Sequence, residues 1–265
     1  VIHFLKEGGR LLFKSYTLTM SDIRNAASSY YDLNPNVPKD IEFYHQRSDS
    51  TTTILELGCG TGRVTLPLSE HCKQIVGLDI SESMLEIARK KLEAKNHASV
   101  LAANICNFSL KQKFDLIIAP FRVLQNIERD EDLDGLFRCI KQHLKPNGRA
   151  ILNAFRPKFE NIESWPSEQE TLCWEVPHQA GVLRCYDLRL RIDQEKRIIY
   201  PRLIYRYFQN ESLIDEAHLD IAMRIYSPEE FTTLIELQGF TIHNTWGGYR
   251  DEPYGEGSEL VVEFR

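Results

Sequence analysis

A carboxylate and three glycines stand close together in the segment ILELGCGTGR, residues 54–63. Gly58, Gly60 and Gly62 occupy alternate positions, which lets the main chain turn sharply and approach a ligand without a Cβ in the way. Glu56 precedes the first glycine by two positions, where a carboxylate repels a diphosphate and attracts a cation. The pattern indicates a binding loop for a positively charged ligand with hydrogen-bond acceptor groups.

A second carboxylate, Asp79, ends the next apolar run, 21 positions after Gly58. An acid at that point can accept hydrogen bonds from both hydroxyls of a ribose. The dinucleotide fingerprint G-x-G-x-x-G would place its last small residue where this chain has Arg63. Because arginine prevents close helix–strand packing around a pyrophosphate, a nicotinamide oxidoreductase is disfavoured. A nucleoside with a ribose and a positive charge but no phosphate fits better, and S-adenosylmethionine has that description.

The loop lies in a stretch, residues 51–155, where short apolar runs alternate with helical periodicity. The apolar runs are TTTILEL, KQIVGLD, ASVLAA, KFDLIIA and RAILNAF. Runs this short and this rich in Ile, Val and Leu are typical of strands buried on both faces. Strands that alternate with helices predict an α/β fold with a doubly wound parallel sheet, whose ligands bind at the carboxyl ends of the strands.

The pattern of apolar and polar residues changes after residue 156. RCYDLRLRID and RIIYPRLIYRYFQ alternate polar and apolar residues, which predicts antiparallel strands with one solvated face. SPEEFTTLIELQGF then predicts a helix that begins with a capping box of Ser227 and Glu230, and TIHNTW and ELVVEF predict two final strands. The expected parts are a leader or extension (1–19), a cofactor-binding α/β core with N-terminal lid helices (20–156), a β-rich insertion (157–224) and the completion of the core (225–265).

Composition narrows the classes of partner. The 265 residues carry a net charge of −6, which disfavours a nucleic acid as partner. None of the six cysteines forms a C-x-x-C pair, and no His/Cys cluster predicts a metal site. Scattered cysteines in a chain of this size are typical of a reducing compartment, so we expect a cytoplasmic protein. No apolar stretch approaches the ~18 residues that span a bilayer, so no membrane partner is expected.

Five motifs follow one another along the chain: ILELGCGTGR, VGLDISESML, ANICNF, FDLIIAPFRVLQNI and LKPNGRAILNAF. Together they resemble the motifs of class I S-adenosylmethionine-dependent methyltransferases that act on small molecules. The likeness covers residues 30–156 and 224–265. It implies a Rossmann-like, mainly parallel sheet of seven strands with a reversed C-terminal hairpin, interrupted here by the antiparallel insertion. It also implies methyl transfer from S-adenosylmethionine, with S-adenosylhomocysteine as product.

The resemblance further implies which residues contact the cofactor. Glu56 and the glycine loop would meet its methionine part, Arg63 its carboxylate and Asp79 its ribose. The full expected set is Glu56, Gly58, Cys59, Gly60, Gly62, Arg63, Asp79, Ile80, Met84, Asn104 and Ile105. Within it, Ile80 and Met84 would flank the adenine. Asn104 departs from the family, which usually has at this position an acid bound to the adenine amino group.

The acceptor side of the expected site is less sharply defined. The sulfonium already activates the methyl group, so the protein must chiefly align a nucleophile and exclude water. A general base is needed only where the acceptor arrives protonated. The candidates for contact with the reacting groups are Tyr31, Arg122, Asn126 and Asn153, the third of which stands where related sequences often have histidine. Tyr30, Phe43 and Tyr44 are expected to wall the acceptor pocket, with Gln125, Arg156, Tyr254 and Glu256 around it.

Several acceptor classes are disfavoured by short motifs. APFR at 119–122 does not resemble the [DNS]-P-P-[YF] motif of enzymes that methylate exocyclic amines of nucleic acids. No proline precedes a cysteine, as cytosine C5 methylation would require. A nitrogen or oxygen of a small molecule is left as the acceptor. The alternative is a protein that binds S-adenosylmethionine without turnover and acts through partners. The insertion has two interpretations, a cap over the acceptor or an edge that pairs with a second subunit in a homodimer.

Overall fold

The computed structural model describes residues 27–156, 164–250 and 252–265, together with the main chain of residues 5–7 and 10–12. The two short N-terminal segments, β1 (Leu5–Glu7) and β2 (Arg10–Leu12), pair as an antiparallel ribbon. The rest of the predicted leader, residues 1–19, lies outside the described residues. Its assignment as a leader or extension therefore stays a prediction.

A sheet of seven strands forms the centre of the protein. Its strands are β3 (Thr53–Leu57), β4 (Gln74–Asp79), β5 (Ala98–Ala102), β6 (Phe114–Ala119), β7 (Leu144–Phe155), β13 (Ile242–Trp246) and β14 (Glu259–Phe264). Their spatial order is β13-β14-β7-β6-β3-β4-β5, so the direction of winding reverses between β3 and β6. All neighbours pair in parallel apart from β14, which is antiparallel to β7 and to β13. The predicted doubly wound sheet with a reversed C-terminal hairpin is confirmed.

Five α-helices connect and cover these strands in the described part of the chain, in addition to a helical segment at residues 27–31. They are α1 (Ile41–His45), α2 (Thr65–Ser69), α3 (Glu82–Leu92), α4 (Asp130–His143) and α5 (Pro228–Leu237). A 3₁₀ turn, Val123–Asn126, follows β6. At the start of α5 the Ser227 hydroxyl accepts from the Glu230 N–H while the Glu230 carboxylate accepts from the Ser227 N–H, so the predicted capping box is present.

The first strand of the large sheet shows why the glycine loop is held firmly. All five residues of β3 are buried. Ile54 packs in one apolar layer with Phe43 and Leu68, whereas Leu55 and Leu57 pack in the other. Because successive side chains of a strand point to opposite faces, a strand covered on both sides needs apolar residues at nearly every position. This burial fixes the carboxyl end of β3, where the loop begins.

The insertion is an antiparallel sheet of four long strands, in agreement with its period-two pattern. The strands are β8 (Ser167–His178), β9 (Gly181–Asp193), β10 (Ile198–Gln209) and β11 (Ser212–Asp220), and β12 (Met223–Arg224) pairs with the start of β10. Trp174, Leu183 and Tyr205 form an apolar cluster with Ala27 and Tyr30 of the lid segment. The insertion is thereby joined to the residues that precede the glycine loop.

No helix of the described chain has the length and apolar character that crossing a membrane requires. Within the same residues, no group of three or more His, Cys, Asp and Glu side chains is arranged to hold a metal ion.

Candidate functional site

The glycine loop between β3 and α2 is shaped by a close contact and by a hydrogen bond. Gly58 has φ = 70°, and an added Cβ would lie 2.4 Å from Cγ2 of Val123, so only glycine lets the segment after β6 pack there. The Gly60 N–H donates to Oδ2 of Asp79 across 2.8 Å. The loop is therefore braced between the segment that follows β6 and the acid at the end of β4.

Asp79 lies at the carboxyl end of β4, as the sequence predicts, and its side chain is buried. Its second oxygen, Oδ1, accepts from the Ser81 N–H across 2.9 Å. Two main-chain donors thus fix the plane of the carboxylate. Each carboxylate oxygen can accept more than one hydrogen bond, so Asp79 keeps the capacity to accept from ligand hydroxyls.

A cavity of about 400 Å³ opens beside this acid. It is formed where the carboxyl ends of β3, β4, β5 and β6 meet the start of α4. Six of the predicted site residues line it: Gly58, Asp79, Ile80, Asn104, Ile105 and Asn126. Sequence reasoning missed the far wall, where Ile127, Glu128, Arg129 and Asp132 also line the cavity. No motif marks that wall, because it is brought to the cavity only by the path of the chain from β6 into α4.

The other predicted cofactor residues, Glu56, Cys59, Gly60, Gly62, Arg63 and Met84, are not part of the cavity lining. Cys59 is buried with Leu85 and Ala88 of α3, and its N–H donates to the carbonyl of Leu78. Met84 is buried below the loop, with its Sδ 3.6 Å from where a Cβ on Gly60 would lie. These two side chains support the loop from beneath.

Glu56 is buried and is held by one side chain, since the Thr65 hydroxyl donates to its Oε2 across 2.5 Å. Burial, with a smaller contribution from the nearby carboxylates of Asp40 and Asp79, raises the pKa of Glu56 to about 8 against the opposing effects of Thr65 and Arg63. At pH 7 the side chain is therefore mostly protonated. The charge attraction expected from the sequence is weaker than a solvated carboxylate would give.

Arg63 does not face the cavity; it forms a two-point ion pair with Asp40. Nη1 and Nη2 lie 2.6 and 2.9 Å from the two carboxylate oxygens of Asp40, which is fully buried. Nearby, Asp32 accepts from the Thr61 hydroxyl and from Lys91 Nζ, each across 2.6 Å. The segment before α1 is thus fastened through two acids, Asp32 and Asp40, to the glycine loop and to α3.

The aromatic residues expected to wall an acceptor pocket pack against the insertion and the large sheet. The Tyr30 hydroxyl donates to Oδ2 of Asp215 across 2.5 Å, and its ring stacks on Tyr205 of the insertion. Phe43 and Tyr44 are buried against the large sheet, in edge-to-face contact with each other. These contacts join the lid to its neighbours, and the wall function of the three residues stays a prediction.

Tyr31 is half-buried. Its phenol is close enough to Arg63 and to Tyr205 to act on the pKa of each through its charge. It therefore lies between the glycine-loop region and the insertion.

A buried polar network joins the ends of β6, β7 and β14. The Arg122 N–H donates to Oδ1 of Asn153 across 3.1 Å, and its Nη2 lies 3.0 Å from Oε1 of Glu259. Nδ2 of Asn153 donates to the other oxygen of Glu259 across 2.9 Å. The structure therefore brings together Arg122 and Asn153, both predicted, and adds Glu259. The sequence signal that could have identified Glu259 is an acidic residue in the apolar run ELVVEF, because a buried charge needs a partner.

The segment after β6 adopts an uncommon conformation. Phe121 and Arg122 have φ of 55° and 68°, in the left-handed region that residues other than glycine rarely occupy. The Phe121 ring lies between two guanidinium groups, 5.5 Å from Arg63 and 5.3 Å from Arg122. Arg122 also stacks over Phe155 at 4.3 Å. Such strained residues cluster at ligand sites, and these connect the glycine loop with the polar network.

The remaining predicted residues are held in place by local hydrogen bonds. Gln125 accepts from the Phe155 N–H across 2.6 Å and donates to the Arg224 carbonyl across 2.7 Å. Nδ2 of Asn126 donates to the Arg122 carbonyl across 3.2 Å. The others lie farther along: Arg156 donates to the Gly257 carbonyl, Tyr254 donates to the Pro228 carbonyl, and Glu256 is exposed. Gln125 thus fastens the 3₁₀ turn to the insertion and does not face the cavity.

Residues 54–148 match the family described as methyltransferase domain. The presumed methyltransferase YqeM of Bacillus subtilis is 22% identical over 89% of this chain and 94% of the relative. The malonyl-[acyl-carrier protein] O-methyltransferase of Bacillus cereus is 32% identical over 49% of this chain, which spans 50% of that relative. The ubiquinone/menaquinone biosynthesis C-methyltransferase UbiE of Wigglesworthia glossinidia brevipalpis is 31% identical over 54% of this chain, which spans 62% of it.

Solved structures agree with the fold over nearly the whole chain. The CcbJ methyltransferase of Streptomyces caelestis superposes with a TM-score of 0.74 at 18% identity, covering 94% of this chain and 99% of that one. The sugar N-methyltransferase KedS8 of Streptoalloteichus gives a TM-score of 0.70 at 15% identity, covering 98% of each chain. The agreement includes the insertion, because the residues covered extend well beyond the matched domain.

Proposed function

We propose that this chain, an S-adenosylmethionine-dependent methyltransferase, moves the methyl group to a nitrogen or oxygen atom of a small molecule by in-line displacement. The observation that supports this best is the cavity, where the glycine loop, Asp79 and Asn104 meet at the carboxyl ends of neighbouring parallel strands. Ligands of doubly wound sheets bind at that edge, near the point where the strand order reverses.

The residues at this edge fit the cofactor. An added Cβ at Gly60 would meet only Met84 Sδ within 4 Å, so the loop leaves room above it for a ligand to approach the main chain. Asp79 has acceptor capacity for the ribose hydroxyls. Ile80, which is 48% exposed, and Ile105 offer apolar surfaces for a planar base. When bound, S-adenosylmethionine supplies an electrophilic methyl group, and the protein need only orient it.

The acceptor is proposed to lie between the loop and the polar network of Arg122, Asn153 and Glu259. Arg122 offers N–H donors, and Glu259 offers acceptor oxygens already oriented by its two partners. Groups fixed in this way can hold a nucleophile in line without reorganisation during the reaction. The lid, fastened through Asp32 and Asp40, would exclude water from the same space.

The chemistry of this network supports a nitrogen or oxygen atom as the methyl acceptor. A nitrogen or oxygen nucleophile carries hydrogen-bonding groups that Arg122 and Glu259 can position, whereas a carbon nucleophile offers none at the reacting atom. The named relatives act through oxygen, carbon and, for KedS8, nitrogen of a sugar. Among the oxygen, carbon and nitrogen acceptors of these relatives, we therefore propose an oxygen or nitrogen of a small polar molecule for this chain.

A second candidate is a protein that binds S-adenosylmethionine without turnover and acts through partners. It is favoured by Asn126, because an amide at the cavity can neither take nor give a proton as a histidine would. The cytoplasmic location and the division into leader, core and insertion remain predictions. For the insertion, both interpretations, a cap and a homodimer contact, remain open.

Two measurements separate these candidates. Calorimetry with S-adenosylhomocysteine tests the cofactor site, and a release assay for S-adenosylhomocysteine over a panel of amino- and hydroxyl-bearing metabolites tests turnover. Binding together with acceptor-dependent release supports the enzyme. Binding without release over the whole panel favours the second candidate. An absence of binding to both the methyl donor and its product would overturn the proposal.

A further inference from the structure

Two tyrosines bring their side chains together between the lid and the large sheet: Tyr44 of α1 and Tyr249 of the loop between β13 and β14. Their ring centroids lie 6.2 Å apart, and the Phe43 ring lies 5.5 Å from each of them. Tyr44 is fully buried, and so is the hydroxyl of Tyr249. The contact therefore joins the lid to the last hairpin of the sheet through two phenol groups that are shielded from solvent.

The fold leaves part of the hydrogen-bonding capacity of these two hydroxyls unused. They are close enough for one to donate to the other, and among the described residues neither has a further partner. Burial, with smaller contributions from nearby carboxylates, raises the pKa of Tyr44 and of Tyr249, so both phenols keep their protons. Two hydroxyls carry two O–H donors, of which the pair can use one internally. The other is a buried donor without an acceptor, which lowers the stability of the fold.

The phenol pair lies between the two buried ion pairs of the site. The charge of Asp40 acts on both phenols, and the charge of Glu259 acts on Tyr249. Six buried side-chain polar atoms lack a hydrogen-bond partner in the described part of the chain. Three of the six belong to this region, namely the two phenol oxygens and Nε of Arg122, which pairs with Glu259 through its Nη2. Unused hydrogen-bonding capacity is therefore concentrated beside the network at which the acceptor is proposed to bind.

Glu259 is the group in this network that an additional donor can serve. Its two oxygens accept from Nη2 of Arg122 and from Nδ2 of Asn153, and each oxygen can accept one hydrogen bond more. A nucleophile that binds Arg122 competes with Glu259 for the N–H groups of the guanidinium. The hydroxyl of Tyr249 can then donate to the carboxylate, which keeps Glu259 oriented while Arg122 holds the acceptor.

We propose that Tyr249, supported by Tyr44, is a positioning residue for methyl transfer, whose hydroxyl donates to Glu259 while the acceptor binds Arg122. This inference rests on the proposed function, since it requires an acceptor beside Arg122 and Glu259. Both tyrosines act through Glu259. Their hydroxyls serve turnover and lower stability, so their removal should change these two properties in different directions.

The test compares the full-length wild-type chain with Tyr249→Phe and with the double variant Tyr44→Phe and Tyr249→Phe. Phenylalanine keeps the ring and removes only the hydroxyl. The double variant should keep or raise the melting temperature, because two apolar groups of the same shape replace a hydrogen-bonding pair that has an unmet donor. Acceptor-dependent release of S-adenosylhomocysteine should fall at least about tenfold in Tyr249→Phe, the scale of one hydrogen bond to a charged group, while calorimetric affinity for S-adenosylhomocysteine stays within about twofold.

Tyr226→Phe is the matched control. The Tyr226 hydroxyl is also buried without a partner among the described residues, but its ring packs with Phe231 in the other apolar layer of the large sheet. This variant should keep or raise the melting temperature as the double variant does, and it should release S-adenosylhomocysteine at the wild-type rate.

Three results would overturn the inference while the proposed function stands. The first is a melting temperature of the double variant more than about 2 °C below wild type, because the hydroxyls would then stabilise the fold. The second is equal turnover of Tyr249→Phe and Tyr226→Phe. The third is a loss of affinity for S-adenosylhomocysteine in Tyr249→Phe that matches its loss of turnover. If the wild-type protein itself releases no S-adenosylhomocysteine with any acceptor of the panel, the proposed function fails and the inference fails with it.

Discussion

Arg63 and Asp40 form a two-point ion pair, with N–O distances of 2.6 and 2.9 Å, that ties the glycine loop to the segment before α1. Asp40 is fully buried, and the Arg63 side chain is 17% exposed. A pair of this kind is costly to break on one side, because the remaining charge is left buried without a partner. The relationship explains how a loop built for flexibility is held in one conformation.

Breaking this pair on one side should strongly destabilise the protein. We expect Arg63→Gln to lower the free energy of unfolding by about 3 kcal/mol, measured by urea denaturation, and the double variant Arg63→Gln with Asp40→Asn to recover part of the loss. Arg89→Gln, which breaks an exposed pair with Glu82, is the matched control and should leave the unfolding midpoint unchanged. Equal effects of Arg63→Gln and the control would refute a stabilising role for the pair.

The buried acid Glu56 should make stability depend on pH. Burial raises its pKa from 4.5 to about 8, so the folded state holds a proton that the unfolded state releases above pH 4.5. The unfolded state is therefore favoured progressively as pH rises from about 4.5 to about 8, by up to ~1.4 kcal/mol per pH unit. Glu56→Gln keeps an acceptor for the Thr65 hydroxyl and removes this dependence.

The measurement is urea denaturation of the wild-type protein and Glu56→Gln at pH 5, 6.5 and 8. The variant should gain stability relative to wild type as pH rises, because it has no proton to lose on unfolding. A difference between the two proteins that stays constant across this range would show that Glu56 ionises in the folded state at an ordinary pKa.

Asp79 should be required for cofactor binding. We expect Asp79→Asn to weaken S-adenosylhomocysteine binding about 10- to 100-fold in calorimetry, since one amide arm cannot accept from ribose hydroxyls and one main-chain contact is lost. Glu82→Gln, just outside the cavity and exposed, provides the control and should bind as wild type does. Wild-type affinity in Asp79→Asn would mean that the ribose is held elsewhere.

Substitution of Glu259 should lower turnover of the acceptor and leave the affinity for the cofactor product unchanged. We expect Glu259→Gln to leave S-adenosylhomocysteine affinity within about twofold while acceptor-dependent turnover falls at least about tenfold, because Arg122 and Asn153 lose the charged partner that orients them. Turnover is followed by release of S-adenosylhomocysteine with whichever acceptor the panel identifies. A parallel loss of affinity and turnover would point to a general disturbance of the fold.

The capping box of α5 offers a test of local stability away from the site. Ser227→Ala should lower the free energy of unfolding by about 1 kcal/mol, because the Glu230 N–H loses its acceptor. Ser227→Asp offers the Glu230 N–H a carboxylate oxygen in place of the hydroxyl and should remain close to wild type. The measurement is the melting temperature of each variant and of the wild-type protein at one pH. If both variants lose the same amount relative to wild type, the side-chain cap does not contribute to stability.

The elements of the fold were predictable from the sequence because their signals are local. The apolar runs of β3 and β4 indicate strands buried on both faces. Ser227 and Glu230, which lie within a segment of four residues, indicate the start of a helix. The glycine loop and Asp79 were also predictable, since a turn after a strand has the same geometry in every doubly wound sheet. Each of these inferences depends only on residues that are neighbours along the chain or on the regular geometry of strands.

The partners of the side chains were decided by the tertiary structure alone. Arg63 was expected at the cofactor carboxylate, but the fold brings Asp40 to it first, and Tyr30 meets Asp215, 185 positions away. Glu259 joins Arg122 from 137 positions away, on a strand whose place in the sheet follows from antiparallel pairing with β7. The type of a charged residue limits which partners it can bind, but only the folded chain brings one of those partners within 3 Å of it. The sequence therefore determined the framework of strands and helices, and the tertiary structure determined the contacts between side chains.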